Sequence, residues 1–167
     1  WREIGPFMAR LRAAEGMGAR CLEWVILTAC RSGEARGATW SEIDLEARTW
    51  TVPAERMKAG KEHRVPLSDA ALALLAGLPR IVGNDLVFPA PRGGVLSDMT
   101  LGAVLKRMGL DVTAHGFRST FRDWASEATA YPGDAVEMAL AHAVGNKVEA
   151  AYRRGDMLDK RVRLMAD

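Results

Sequence analysis

IDLEARTWTVPAERMKAGKEHRVPL, residues 43–67, is the stretch on which the fold class turns. Ile43-Asp44-Leu45 and Thr49-Trp50-Thr51-Val52 are rich in β-branched and aromatic residues, with polar turn residues between them. Arg64-Val65-Pro66-Leu67 reads as a third strand, and its proline places it at a sheet edge or a strand end. The intervening loop, A-E-R-M-K-A-G-K-E-H, carries several cations. A small antiparallel sheet of three strands with a basic hairpin is expected here.

On either side the pattern is helical. Upstream, residues 19–31 (A-R-C-L-E-W-V-I-L-T-A-C-R) predict a helix buried on nearly every side, because apolar positions encircle it. A short helix then runs to about Ala38. Downstream, Ser68 or Asp69 can cap a helix reaching Leu78, and Pro79 to Gly83 break it. Leu86-Val87-Phe88 is a short extended piece. Ser97 or Asp98 opens a helix through Met108, and Thr113 opens the next, which carries His115 and Arg118 to about Ala128. Pro132-Gly133 begins another that ends near His142. Tyr152 falls on or near a further helix, and residues 156–165 form the last. The expected fold is α+β: residues 1–167 as one mostly helical domain with a small three-stranded antiparallel sheet.

Composition sets bounds on function. The 167 residues are 49% hydrophobic and 26% charged, which is ordinary for a globular domain with a sizeable core. No apolar run approaches the roughly 18 residues needed to cross a membrane, and no secretory signal is visible. The chain begins at Trp1 rather than Met, as a piece of a longer protein would. The net charge of +2 is mild, but the cations cluster. Residues 48–64 hold Arg48, Arg56, Lys58, Lys61 and Arg64 against Glu55 and Glu62. Residues 147–163 hold Lys147, Arg153, Arg154, Lys160, Arg161 and Arg163 against Glu149, Asp156 and Asp159. Either segment could be a solvated face or a surface for a polyanion. Cys21 and Cys30, placed in one helix on roughly opposite faces, cannot pair within it and read as packing residues of a reducing compartment. No C-x-x-C pair suggests zinc.

The chemistry-bearing residues stand at suggestive distances. His115 and Arg118 form H-G-F-R, three apart, on one helical face. An arginine fork matches two phosphate oxygens, and a histidine can exchange a proton near neutral pH. On its own the motif is also what a capping histidine and a surface arginine look like. Arg31, in C-R-S-G-E, closes an apolar run and must emerge at the surface or enter a polar pocket, where Glu34 could orient it. Lys58 sits in the basic hairpin, where it could act as a proton donor or be a solvated turn residue. His63, in the same hairpin, reads as a surface residue or a strand-edge contact. His142 ends a helix, and Tyr152 lies ten residues beyond it. A tyrosine, with a pKa near 10, is a poor nucleophile unless cations or a base favour its anion.

In order and spacing these residues resemble the catalytic domain of tyrosine recombinases, the phage-integrase family. The likeness runs from about Arg20 to Leu164. C-R-S-G-E resembles the family's first arginine motif, giving Arg31. Lys58, seven residues before V-P-L, resembles its hairpin lysine. His115 to Arg118 resembles its H-x-x-R box, Leu140-Ala141-His142 its second histidine position, and Tyr152 its nucleophile. The wording C-R-S-G-E, W-S-E-I-D-L, H-R-V-P-L-S and H-G-F-R resembles integrases of prophages and genomic islands. Ala141 stands where glycine is usual, a small change with little expected effect. Arg154 stands where many relatives have histidine. The family's N-terminal DNA-binding domains have no counterpart in these residues.

The resemblance implies a site-specific recombinase that breaks and rejoins double-stranded DNA through a 3′-phosphotyrosine at Tyr152. It implies Arg31 and Arg118 on the non-bridging oxygens, His142 as a further donor, Lys58 as the acid for the leaving 5′-oxygen and His115 as the proton acceptor. It implies no metal and no cofactor. It also implies self-association as a tetramer on DNA through the C-terminal segment, action in the bacterial cytoplasm at the nucleoid, and help from host DNA-bending factors. Leu158, Val162 and Met165, at helical spacing, could pack on the chain's own core or on a neighbouring copy. Three other activities fit some of the residues: a type IB topoisomerase-like enzyme, a metal-independent nuclease using His115, His142 and Lys58, and a non-catalytic DNA-binding fragment.

Overall fold

The structure, a computed structural model, describes residues 1–142 and 155–167. Its helices are α1 (Ile4–Ala13), α2 (Met17–Thr28), α3 (Ser32–Arg36), α4 (Asp69–Ala76), α5 (Thr100–Arg107), α6 (Gly116–Ala128), α7 (Gly133–Ala139) and α8 (Leu158–Ala166). Strands β1 (Ile43–Asp44), β2 (Thr49–Val52) and β3 (His63–Pro66) lie between α3 and α4. The expected α+β architecture is therefore present. Among the described residues, no helix is long and apolar enough to cross a membrane.

Helix α2 is the axle of the larger core. Ala19, Cys21, Leu22, Trp24 and Val25 are all buried on it, and it packs against α1, α3, α4, α5 and α6. Trp24 meets Trp50 of β2 and Phe88 at ring separations of 5.4 and 6.0 Å. Close approach of α5 depends on Gly18, because a Cβ there would stand 2.8 Å from the Thr100 side chain. Glu23, buried on the same helix, is matched by Arg12 at 2.7 Å and Arg20 at 3.2 Å.

The sheet is antiparallel with order β1-β2-β3, pairing Ile43 with Trp50 and Trp50 with Val65. The two-residue period turns Trp50, Val52 and Val65 into the core. Pro66 lies on β3, an edge strand, as its missing N–H requires. Helix α8 covers that edge. Ser68 caps α4 by accepting the Ala71 N–H at 3.3 Å.

Several boundaries differ from expectation. Helix α2 ends at Thr28, because Ala29 turns left-handed at φ 49°. Cys30 is thus outside the helix and the opposite-face argument does not apply, although both thiols are buried and free. Burial pushes the Cys30 thiol up to about 12. The helix expected from Ser97 begins at Thr100, since Ser97 accepts the Met99 N–H with its hydroxyl and the Thr100 N–H with its carbonyl. The apolar stripe of α8 is also shifted. Leu164 and Met165 pack on Ala29, Ala125, Val136, Ala139 and Leu140 of this chain, while Val162 is exposed.

Much of the basic surplus is engaged internally. Arg48 pairs with Asp69, and Arg56 with Glu42. Arg64 pairs with Asp156 at 2.8 Å. Arg161 is only 1% exposed. Its Nε donates to the Asp156 carbonyl at 2.8 Å, Nη1 to the Arg64 carbonyl at 2.6 Å and Nη2 to the Asp156 carboxylate at 2.9 Å. This cation ties α8 to β3 rather than facing a polyanion. Removing its donors takes a partner from the Arg64 and Asp156 carbonyls and leaves Arg64 as the cation on the Asp156 carboxylate. Arg161→Met is expected to lower unfolding stability by about 2–3 kcal/mol in urea titrations, and an unchanged midpoint would show that the clamp is ornamental.

Candidate functional site

Arg31 occupies the N-cap position of α3 in an extended conformation, φ −79° and ψ 150°. Glu34, one turn on and buried, accepts the Arg31 backbone N–H at 2.8 Å and its Nη1 at 2.9 Å. The carboxylate therefore fixes both the backbone and the guanidinium, the orientation expected from their spacing. Nη2 reaches the Ala141 carbonyl at 3.4 Å.

Arg31 lines a polar groove together with Ser32, Gly33, Glu34, Glu55, Arg56, Met57, Lys58 and His115. Hairpin, α3 and the start of α6 thus bring three of the six expected site residues to one place. The hairpin is braced from behind. Arg56 donates Nη1 to the Glu34 carbonyl at 2.9 Å and also pairs with Glu42, which accepts the Trp50 indole N–H at 2.9 Å. Gly37 makes room, since a Cβ there would lie 2.7 Å from Arg56 Nη1. Lys58 itself is exposed.

His115 is the N-cap of α6 and already has helical dihedrals, φ −67° and ψ −33°, with its carbonyl accepting the Arg118 N–H at 3.0 Å. The Thr113 hydroxyl takes the Gly116 N–H at 3.2 Å, leaving the His115 side chain exposed toward the groove. Arg118, a turn further on, is 4% exposed. It donates Nη1 to the Ala29 carbonyl and Nη2 to the Leu140 carbonyl at 2.6 Å, with His142 Nε2 3.1 Å from Nη2. Its Nε is buried with no partner among the described residues. Burial, then the charge of Arg31, draws Arg118 below the usual guanidinium range.

His142 lies beyond α7, not on it. The His142 N–H donates to the Glu137 carbonyl at 2.9 Å and the Ala141 N–H to the Met138 carbonyl at 3.0 Å. This is a Schellman ending, with Ala141 as its left-handed residue at φ 51°. Alanine at the position where glycine is usual is thus more than a change of size. Glu137 also takes the His142 side chain, Nδ1 to Oε2 at 2.7 Å, and Arg122 Nε at 2.7 Å. Burial pushes its carboxyl up, but the hydrogen bonds from Arg122 and His142 outweigh this and hold it below the usual range.

Tyr152, with Lys147, Glu149, Arg153 and Arg154, lies outside the described residues. Around the remaining five, sequence reasoning missed Glu137, Arg56 and Glu42. His63 is a half-buried strand-edge contact hydrogen-bonded to the Ala139 backbone, not a surface residue. Burial, then Arg161, pull its pKa from 6.5 down to about 4.

Known proteins bear on this arrangement. The model of the phage integrase family matches residues 3–158. Prophage integrase IntA of Escherichia coli strain K12 is 39% identical over 170 residues, which take in 98% of this chain and 41% of that protein. The chain therefore spans about two-fifths of that relative's length. The integrase of mycobacterium phage Brujita superposes with a TM-score of 0.72 at 22% identity, over 95% of this chain and 54% of that one. A lambda integrase tetramer bound to a Holliday junction gives 0.62 at 20% identity, over 84% and 45%.

Two outcomes are expected. Glycine relieves the left-handed strain at position 141, so Ala141→Gly should raise stability by about 1 kcal/mol in denaturant titrations; a destabilised variant would contradict the strained turn. Between pH 6.5 and about 4 the unfolded chain protonates His63 while the folded chain does not, so stability declines as pH falls through that window. Urea midpoints of His63→Asn should fall less over the same range than those of the wild type, and parallel curves would exclude His63 as the source.

Proposed function

Because the chain belongs to the phage integrase family, we propose that residues 1–167 are the catalytic domain of a site-specific recombinase that cleaves and rejoins double-stranded DNA. Tyr152 Oη attacks the scissile phosphate, giving a 3′-phosphotyrosine and a free 5′-hydroxyl. Arg31 and Arg118 take the non-bridging oxygens, where charge grows in the transition state, and His142 contributes a further contact. Lys58 protonates the leaving 5′-oxygen, and His115 accepts the tyrosine proton and later returns it. Rejoining reverses these steps, with a 5′-hydroxyl of a partner strand attacking the phosphotyrosine. The bond energy stays in the covalent link, so the scheme needs no energy-supplying cofactor.

The observation that carries this reading is Arg118. A buried guanidinium fixed by the Ala29 and Leu140 carbonyls, with the charge of a second arginine beside it, supports a site for an oxyanion. One preorganised donor of this kind contributes on the order of 3 kcal/mol to transition-state stabilisation. The groove through Arg31, Lys58 and His115 supports it further, because acid, base and phosphate grip line one surface.

Self-association on DNA is proposed with it, since the lambda integrase that superposes on this chain is described as a tetramer on a Holliday junction. Host DNA-bending proteins would assist the same assembly. The setting proposed is the bacterial cytoplasm, at the nucleoid.

The test uses a pool of nicked suicide duplexes with randomised cores, resolved on denaturing gels. The wild-type chain is expected to form a covalent protein–DNA adduct and Tyr152→Phe none. An adduct that survives in the variant would overturn the nucleophile, and strand breakage without adduct would favour a hydrolytic nuclease.

A further inference from the structure

Glu137 has no part in the scheme above, yet it is held on both sides. Oε1 accepts Arg122 Nε at 2.7 Å, and Oε2 lies 2.7 Å from His142 Nδ1. The other ring nitrogen, Nε2, lies 3.1 Å from Arg118 Nη2. A guanidinium can only donate, so Nε2 is the acceptor and bears no proton. The ring proton is therefore on Nδ1 and is donated to Glu137. The carboxylate decides which nitrogen faces Arg118.

The backbone explains why these two residues meet. Residues five apart on a continuous helix point about 140° away from one another. Here α7 ends between them, and the Schellman turn folds the chain back so that the position of His142 lies over that of Glu137. An apolar contact commonly fills this place. Here it is a carboxylate against an imidazole, and Arg122 keeps the carboxylate from swinging away. Arg122, Glu137, His142 and Arg118 form one hydrogen-bonded chain from surface to interior.

We propose that Glu137 is a positioning residue for strand cleavage, acting through His142 by holding the ring with Nε2 toward Arg118 and the phosphate Arg118 grips. This rests on the recombinase reading. With Nδ1 bonded to the carboxylate, the ring is held so that Nε2 is the nitrogen presented to Arg118 and to a phosphate bound there.

The chain has three histidines, so their rings can be resolved by ¹⁵N-detected NMR. In the wild type, His142 is expected to carry its proton on Nδ1. Glu137→Ala should shift it toward Nε2, while Glu137→Gln, which keeps an acceptor oxygen, should retain it. With the suicide duplexes, Glu137→Ala is expected to slow adduct formation about 10- to 100-fold, as loss of an orienting partner commonly does. In a His142→Ala background the same change should cost nothing further. A wild-type proton on Nε2, unchanged cleavage by Glu137→Ala, or an equal loss in the His142→Ala background would each overturn the positioning role. A wild-type chain with the expected tautomer but no adduct would overturn the recombinase reading instead.

Discussion

Arg118 is the point on which three segments converge. A buried guanidinium costs several kcal/mol unless its donors are met. Here they are met mostly by main chain, the carbonyls of Ala29 and Leu140. Both are helix C-caps, one of α2 and one of α7, where unpaired carbonyls carry the negative end of the helix dipole. Each helix leaves its axis through an alanine in the left-handed region, Ala29 in one case and Ala141 in the other. The turn after α7 then presents the Ala141 carbonyl to Arg31 and the His142 ring to Arg118. The placement of two further site residues thus follows from how these helices stop.

This dependence explains what the sequence disclosed and what it hid. The hairpin was legible because its period of two residues is local, and the Ser68 cap because a hydroxyl before an apolar run has few other uses. The pairing of Arg31 with Glu34 was legible because three residues within a single turn bring them together. The left-handed alanines were not, because alanine is the best helix former and nothing near it signals φ above zero. That single blind spot extended α2 to Arg31, put Cys30 on a helix and placed His142 at the end of one. It also concealed Glu137, whose partner lies across a helix end. Arg161 was misread for another reason: a charge among charges reads as solvated unless the strand that buries it is known.

The family likeness supplied what local physics could not. Five short motifs carrying six residues, each explicable on its own by capping, packing or solvation, gain meaning from their order. The structure adds a reason why some must be close: Arg31, Lys58 and His115 line one groove, and Arg31, Arg118 and His142 share the turn after α7.

The arginines of this chain are held in two different ways, and the difference matters for chemistry. Arg161 faces Asp156, Arg56 faces Glu42, and Arg31 faces Glu34, so each charge is largely cancelled by a carboxylate. Arg118 is held by two backbone carbonyls, with an imidazole nitrogen of His142 beside it. Dipoles solvate its charge without neutralising it. Of these four cations, Arg118 alone has no carboxylate ion pair among the described residues. Holding an arginine by backbone rather than by carboxylate keeps it both fixed in place and positive.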